Sequence, residues 1–263
     1  KQAELESRIK TLSSLLYENS QITGESNLEI QNSRLKLERA IFAGGMEHFV
    51  TYVHANREKI PEDLLRTGKL TTSIDPHIQS RVKSLLDGKI KELKDKNVAN
   101  GAVLIADHNS GRILAWVNSG SFNDQKEASQ IDAVITPRQP GSALKPFLYA
   151  LAMEDGWSEA TLLDDSPLIL PVGSGMHAYR NYSGIHYGQV SLRKSLGNSL
   201  NIPAVITAGF VGVPRFHRFL QNLGFTTLDK PSDYYGEGLA LGNGEVRLLD
   251  LVQAYAVLAR GGE

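Results

Sequence analysis

The stretch Arg138-Gln-Pro-Gly-Ser-Ala-Leu-Lys-Pro146 constrains this chain more than any other. Pro140-Gly141 favours a turn, and Phe147, Leu148 and Leu151, with Ala150 and Ala152, follow at helical spacing. The turn therefore feeds a helix, with Ser142 at or in its first turn. Lys145, three positions on, shares a helix face with Ser142. A serine hydroxyl is a poor nucleophile at neutral pH, but an amine whose pKa is lowered by burial can take its proton as a bond to a carbonyl carbon forms. The helix N-terminus adds backbone donors and a favourable dipole for a developing oxyanion. Taken alone, Ser-x-x-Lys is better read as a helix cap and a solvated first-turn lysine, and only the surroundings reverse that reading.

A second constellation is Gly197-Asn-Ser-Leu-Asn-Ile-Pro-Ala-Val205, where one residue separates Ser199 from Asn201. Ser-x-Asn can present both side chains from one tight turn. A hydroxyl there can relay a proton between nucleophile and leaving amine, and the amide can hold a substrate peptide group through paired donor and acceptor. An ordinary turn or helix cap accounts for the same residues on their own.

Together, Arg138 to Phe147 and Ser199 to Val205 resemble the transpeptidase domain of the bifunctional class A penicillin-binding proteins. Ser-x-x-Lys, a Ser-x-Asn-type motif and Lys-Thr-Gly are the signature of penicillin-binding proteins and class A β-lactamases, and the first two are present in that order. Similarity continues in Tyr179-Arg-Asn-Tyr-Ser-Gly184, Gly188-Gln-Val-Ser-Leu-Arg193, Gly238-Leu-Ala-Leu-Gly-Asn-Gly244 and Ala254-Tyr-Ala-Val-Leu-Ala-Arg-Gly-Gly262. Thr71-Thr-Ser-Ile-Asp-Pro-His-Ile-Gln79 resembles the threonine-rich strand with which these domains open. Within class A, Arg-Gln-Pro-Gly-Ser-x-x-Lys-Pro suits the 1C type.

The resemblance implies an α+β fold of the penicillin-binding protein and serine β-lactamase kind, an antiparallel sheet with helices. It also implies two-step acyl transfer. Ser142 attacks the carbonyl between the terminal D-alanines of a peptidoglycan stem peptide, and an amine from a neighbouring stem resolves the acyl-enzyme. Lys145 is the expected base for acylation. Ser199 is expected to shuttle the proton and Asn201 to hold the donor's amide. A β-lactam, resembling the substrate, is expected to acylate Ser142 and stay. Two other readings keep the fold: a penicillin-recognising sensor or non-catalytic peptidoglycan-binding module, and a serine D,D-carboxypeptidase or β-lactamase. The last needs a placed water, and no glutamate here sits in a recognised deacylating motif.

Lys-Thr-Gly itself is absent: the sequence stops at Gly261-Gly262-Glu263. In the family that strand flanks the site, binds the substrate carboxylate and completes the oxyanion hole. The expectation is an incomplete copy of a longer protein, lacking the C-terminal strands of its sheet, because an unfinished sheet edge invites pairing and aggregation. Class A proteins also carry an N-terminal membrane anchor and a glycosyltransferase domain. The resemblance thus places the domain on the extracytoplasmic face of a bacterial inner membrane, anchored by a segment outside this chain. Residues 1–68 read as a helical linker from the glycosyltransferase region and 69–263 as the transpeptidase domain.

Within the linker, Leu5, Ile9, Leu12, Leu15 and Leu16 fall at helical spacing, with Leu28, Ile30, Leu35, Leu37 and Ile41 after a break marked by Asn19-Ser20 and Gly24. Pro76 to Leu93 has helical spacing, and 101–106 and 112–117 read as strands around the loop Asp107-His-Asn-Ser-Gly111. With 41% hydrophobic and 22% charged residues, the 263-residue chain can bury a substantial core. Its net charge of −1 gives no footprint for nucleic acid. The histidines are scattered without ligand spacing, cysteine is absent, and Gly238 to Gly244 lacks the dinucleotide-binding pattern, so no metal and no cofactor is expected.

Overall fold

In a computed structural model of the chain, the described residues are 2–33, 45–123, 128–173 and 175–263. They fall into two compact units, Lys1–Phe42 and Ala43–Glu263. No helix among the described residues is long and apolar enough to cross a membrane.

The first unit pairs α1 (Gln2–Glu18) with α2 (Gly24–Asn32). Ser20 turns the chain in a left-handed conformation (φ 57°), and Thr23 caps α2 by accepting from the Ser26 N–H. Much of the apolar stripe stays open: Leu5, Leu12, Leu15 and Leu28 are exposed, since two helices alone cannot cover it, while Ile9, Leu16 and Ile30 are half-buried. Polar groups also join the helices: buried Ser13 donates to Asn27 Oδ1, and Gln31 donates to Lys10 O at 2.8 Å and Ser14 Oγ at 3.0 Å. Leu35, Leu37 and Ile41 lie outside the described residues.

The second unit opens with α3 (Glu47–Ala55), whose Phe49 and Tyr52 pack on Trp116 with ring centroids 5.7 and 4.7 Å away. After the short α4 (Glu62–Arg66) comes α5 (Pro76–Glu92). Asp75 caps α5 by accepting from the N–H groups of His77 (2.8 Å) and Ile78 (3.0 Å). Pro76 takes the first helical position, where an N–H has no partner to lose. β1 (Ala102–Ala106) and β2 (Ile113–Asn118) pair antiparallel, Leu104 opposite Trp116, around the expected loop. The outer edge of β2 is closed by a side chain. Gln79 of α5 donates to Trp116 O and accepts from Trp116 N–H, both at 2.8 Å. Among the described residues β1 has β2 as its sole strand partner.

A single 3₁₀ turn, Gly141–Leu144, leads into α6 (Lys145–Glu154). β3 (Leu162–Asp165) pairs with β6 (Gly188–Ser191), and β4 (Leu168–Val172) with β5 (Gly175–Tyr179), all antiparallel. The described strands thus form three two-stranded sheets in an α+β arrangement. The remaining helices are α7 (Leu192–Gly197), α8 (Asn201–Val211), α9 (Val213–Asn222), α10 (Ser232–Tyr235) and α11 (Leu248–Ala259). α8 runs through the main core, burying Ala204, Ala208 and Val211 in one cluster with Phe147, Leu148 and Leu151 of α6. Packing α6 on α8 sets the start of one against the start of the other, where the two sequence motifs lie.

Candidate active site

Lys145 is the first residue of α6, and its side chain is closed off from solvent. Nζ donates to Ser199 O at 2.7 Å, Asn201 Oδ1 at 2.9 Å and Leu200 O at 3.0 Å, with Ser199 Oγ at 3.3 Å. The three N–H groups of an ammonium are therefore matched, while burial lowers the amine's pKa to about 8. Of the four surrounding oxygens, the Ser199 hydroxyl alone can also donate. Once the amine is neutral, Ser199 Oγ–H is the one donor among these four groups that can meet its lone pair.

Ser199 reaches this place with φ 53°, a left-handed backbone that costs a non-glycine residue energy. The turn around it is closed by Ser199 N–H to Leu196 O (3.0 Å) and Leu200 N–H to Ser195 O (2.9 Å). Asn201 starts α8, and its Nδ2 donates to Arg180 O at 2.9 Å. One amide hydrogen and one carbonyl lone pair of Asn201 are left for a further partner.

Ser142 lies in the 3₁₀ turn and not in the α-helix proper. The cause is Pro146. An α-helix would need the residue-146 N–H to bond Ser142 O, which proline cannot supply, so the Lys145 N–H takes that oxygen one position earlier. Three residues per turn still stack positions 142 and 145 on one side. The Ser142 side chain is exposed, and its hydroxyl has no hydrogen bond among the described residues. The structure thus joins Lys145, Ser199 and Asn201 directly and sets Ser142 one turn ahead of them.

The Ser142 turn is held from behind by residues that motif reading noted or left without a role. Gly242 (φ 76°) packs so closely that a Cβ there would overlap the Gly141 backbone O, N and C. Tyr255 donates its hydroxyl to Ala143 O at 2.9 Å. Arg138 and Val246 exchange both backbone hydrogen bonds, at 2.9 and 2.8 Å. Asp165 and Asn181, both buried, stand behind Asn201.

The profile of the penicillin binding protein transpeptidase domain matches residues 101–263. The chain belongs to that family. Among relatives of this transpeptidase domain, penicillin-binding protein 1C of Escherichia coli (strain K12) is 32% identical over 199 residues, 75% of this chain and 25% of that protein. Penicillin-binding protein 1A of Neisseria meningitidis serogroup A is 29% identical over 211 residues, 79% of this chain and 24% of the relative. The resemblance to class A read from the motifs therefore stands. The domain is also similar to the solved structure of Mycobacterium tuberculosis PonA1 in complex with penicillin V, with a TM-score of 0.64 at 25% identity over 81% of this chain and 57% of that one. Penicillin-binding protein 1A from Haemophilus influenzae gives a TM-score of 0.53 at 33% identity over 60% of this chain and 23% of that one. The chain spans about a quarter of the length of the curated relatives named here.

Proposed function

We propose that this chain is part of a peptidoglycan D,D-transpeptidase that cross-links stem peptides through an acyl-enzyme on Ser142. The supporting observation is the buried Lys145 amine, cradled by the Ser199–Asn201 turn at the shared start of α6 and α8. Neutral Lys145 takes the proton as Ser142 Oγ bonds to the carbonyl carbon of the penultimate D-alanine. The C–N bond to the terminal D-alanine then breaks, Ser199 passes a proton to the departing amine, and Lys145 makes good that loss. An amine from a second stem reverses the sequence, giving its proton to the site and displacing Ser142. Asn201 offers its unused amide hydrogen and lone pair to the donor strand. A β-lactam enters the same first step and leaves Ser142 acylated. Residues 69–263 are the transpeptidase part of a longer class A enzyme on the extracytoplasmic face of the inner membrane, with 1–68 the lead-in from its glycosyltransferase domain.

The test is covalent labelling with a fluorescent penicillin, read by intact mass and peptide mapping. It is run on the chain and on the chain extended through the Lys-Thr-Gly of the family pattern. The expected result is one adduct on Ser142 in at least one form, lost in Ser142→Ala. No adduct in either form, or an adduct unaffected by Ser142→Ala, overturns the acyl-enzyme.

A further inference from the structure

We infer that Asp165 and Asn181 are positioning residues: a buried carboxylate–amide relay that fixes Asn201 and, through it, Lys145. The inference rests on the acyl-transfer reading for its kinetic consequences and on geometry alone for the placement of Asn201.

Asp165, at the end of β3, is completely buried, and no ion pair balances its charge among the described residues. A buried carboxylate is costly unless donors meet it, and Asp165 has two, the Asn181 amide and the Tyr187 N–H. What Asp165 does supply is orientation. A carboxylate only accepts, so the Asn181 amide must turn its NH₂ toward it. Nδ2 of Asn181 lies 2.8 Å from both Asp165 oxygens and 2.9 Å from Ile185 O, while the Tyr187 N–H donates to Asp165 Oδ2 at 2.9 Å. With that end fixed, Asn181 Oδ1 can point only the other way. It accepts from Asn201 N–H at 2.8 Å and Ile202 N–H at 3.5 Å.

Those N–H groups are the first of α8, a helix whose own cap position is Leu200 and carries no side-chain acceptor. Asn181 therefore caps α8 from twenty residues upstream. The capped residue is Asn201, whose Oδ1 accepts from Lys145 Nζ. The relay runs Asp165, Asn181, Asn201, Lys145, each link a hydrogen bond of 2.8–2.9 Å. Of the titratable groups packed around it, Tyr149 of α6 stays protonated, because burial, and to a lesser degree the Asp165 charge, raises its pKa.

Asn181→Asp gives the sharpest test. It keeps the oxygen that caps Asn201 but sets a second carboxylate against Asp165, an arrangement that holds only while one proton is shared. The second-order rate of acylation, as a ratio to wild type, is expected to rise at least about tenfold between pH 8 and pH 5.5. Asn181→Ala is expected to lose about tenfold or more at both pH values, and Asp164→Asn, on the exposed side of β3, to track wild type. Hydrogen exchange at the Asn201 amide is followed in parallel, and about tenfold faster exchange is expected in Asn181→Asp at pH 8. Acylation within twofold of wild type across this range in Asn181→Asp overturns the inference, as does unchanged Asn201 exchange. If the wild type takes no label either as this chain or as the extended form, the acyl-transfer reading fails and the exchange result alone decides the relay.

Discussion

At Lys145 burial favours the free amine and lowers its pKa to about 8. On the acyl-transfer reading proposed above, roughly a tenth of the molecules at pH 7 would hold the base that takes the Ser142 proton. The rate of penicillin acylation should climb close to tenfold per pH unit up to about pH 8 and then level off, measured by stopped-flow labelling across pH 6–9.5. The same shift has a stability consequence. The amine's pKa in the folded chain lies below the ordinary 10.5, so between pH 8 and 10.5 the unfolded chain holds a proton that the folded chain has released. Stability from this group therefore rises with pH through that window, by up to about 3 kcal/mol. Urea titrations of wild type and Lys145→Met should show the rise in the first and not in the second. The spacing of Ser142 and Lys145 and the Ser-x-Asn pair were legible in the sequence. The cradle of oxygens around Lys145 was not, because contacts spanning 54 to 56 positions leave no trace in local spacing.

Elements with a strong local signal form where the pattern places them. α5 has its cap in Asp75-Pro76, and β1 and β2 are short apolar runs around an Asp–Gly loop. The 3₁₀ turn at Ser142 was also written in the sequence, in Pro146, but only for a reader who follows each N–H to its partner. The pairing of β3 with β6 is a different case. Its short strands are separated by a whole hairpin, and the buried Asp165–Asn181 contact depends on that pairing. Gly242 shows how one element holds another: its bare Cα lets the 236–242 segment lie against Gly141. Gly242→Ala should cost about 3 kcal/mol through backbone overlap and a strained left-handed alanine, and should slow acylation more than tenfold. Thermal melting and labelling rate check both. An alanine variant with wild-type melting and labelling would mean that the segment does not hold the Ser142 turn.

Across the molecule, burial is uneven. The α1–α2 unit exposes Leu5, Leu12, Leu15 and Leu28 and is joined by polar contacts, whereas most of α8 lies inside the core. Native-state hydrogen exchange should find α1 and α2 opening at a free energy near zero and α8 opening only with global unfolding. Equal protection in the two would contradict that ranking. Fold class was legible from motif order and from the mix of helical spacing and short apolar runs bounded by turn residues. The division of the strands into three small sheets was not, since it depends on which edges meet across long stretches of chain. One property of the Lys145 cradle carries over to how such a domain can change by descent. Two of its four oxygens, those of Ser199 and Leu200, belong to the main chain. No codon change deletes a peptide carbonyl, so substitutions under antibiotic pressure can strip the Ser199 and Asn201 side chains and still leave half the cradle, for as long as the fold itself survives.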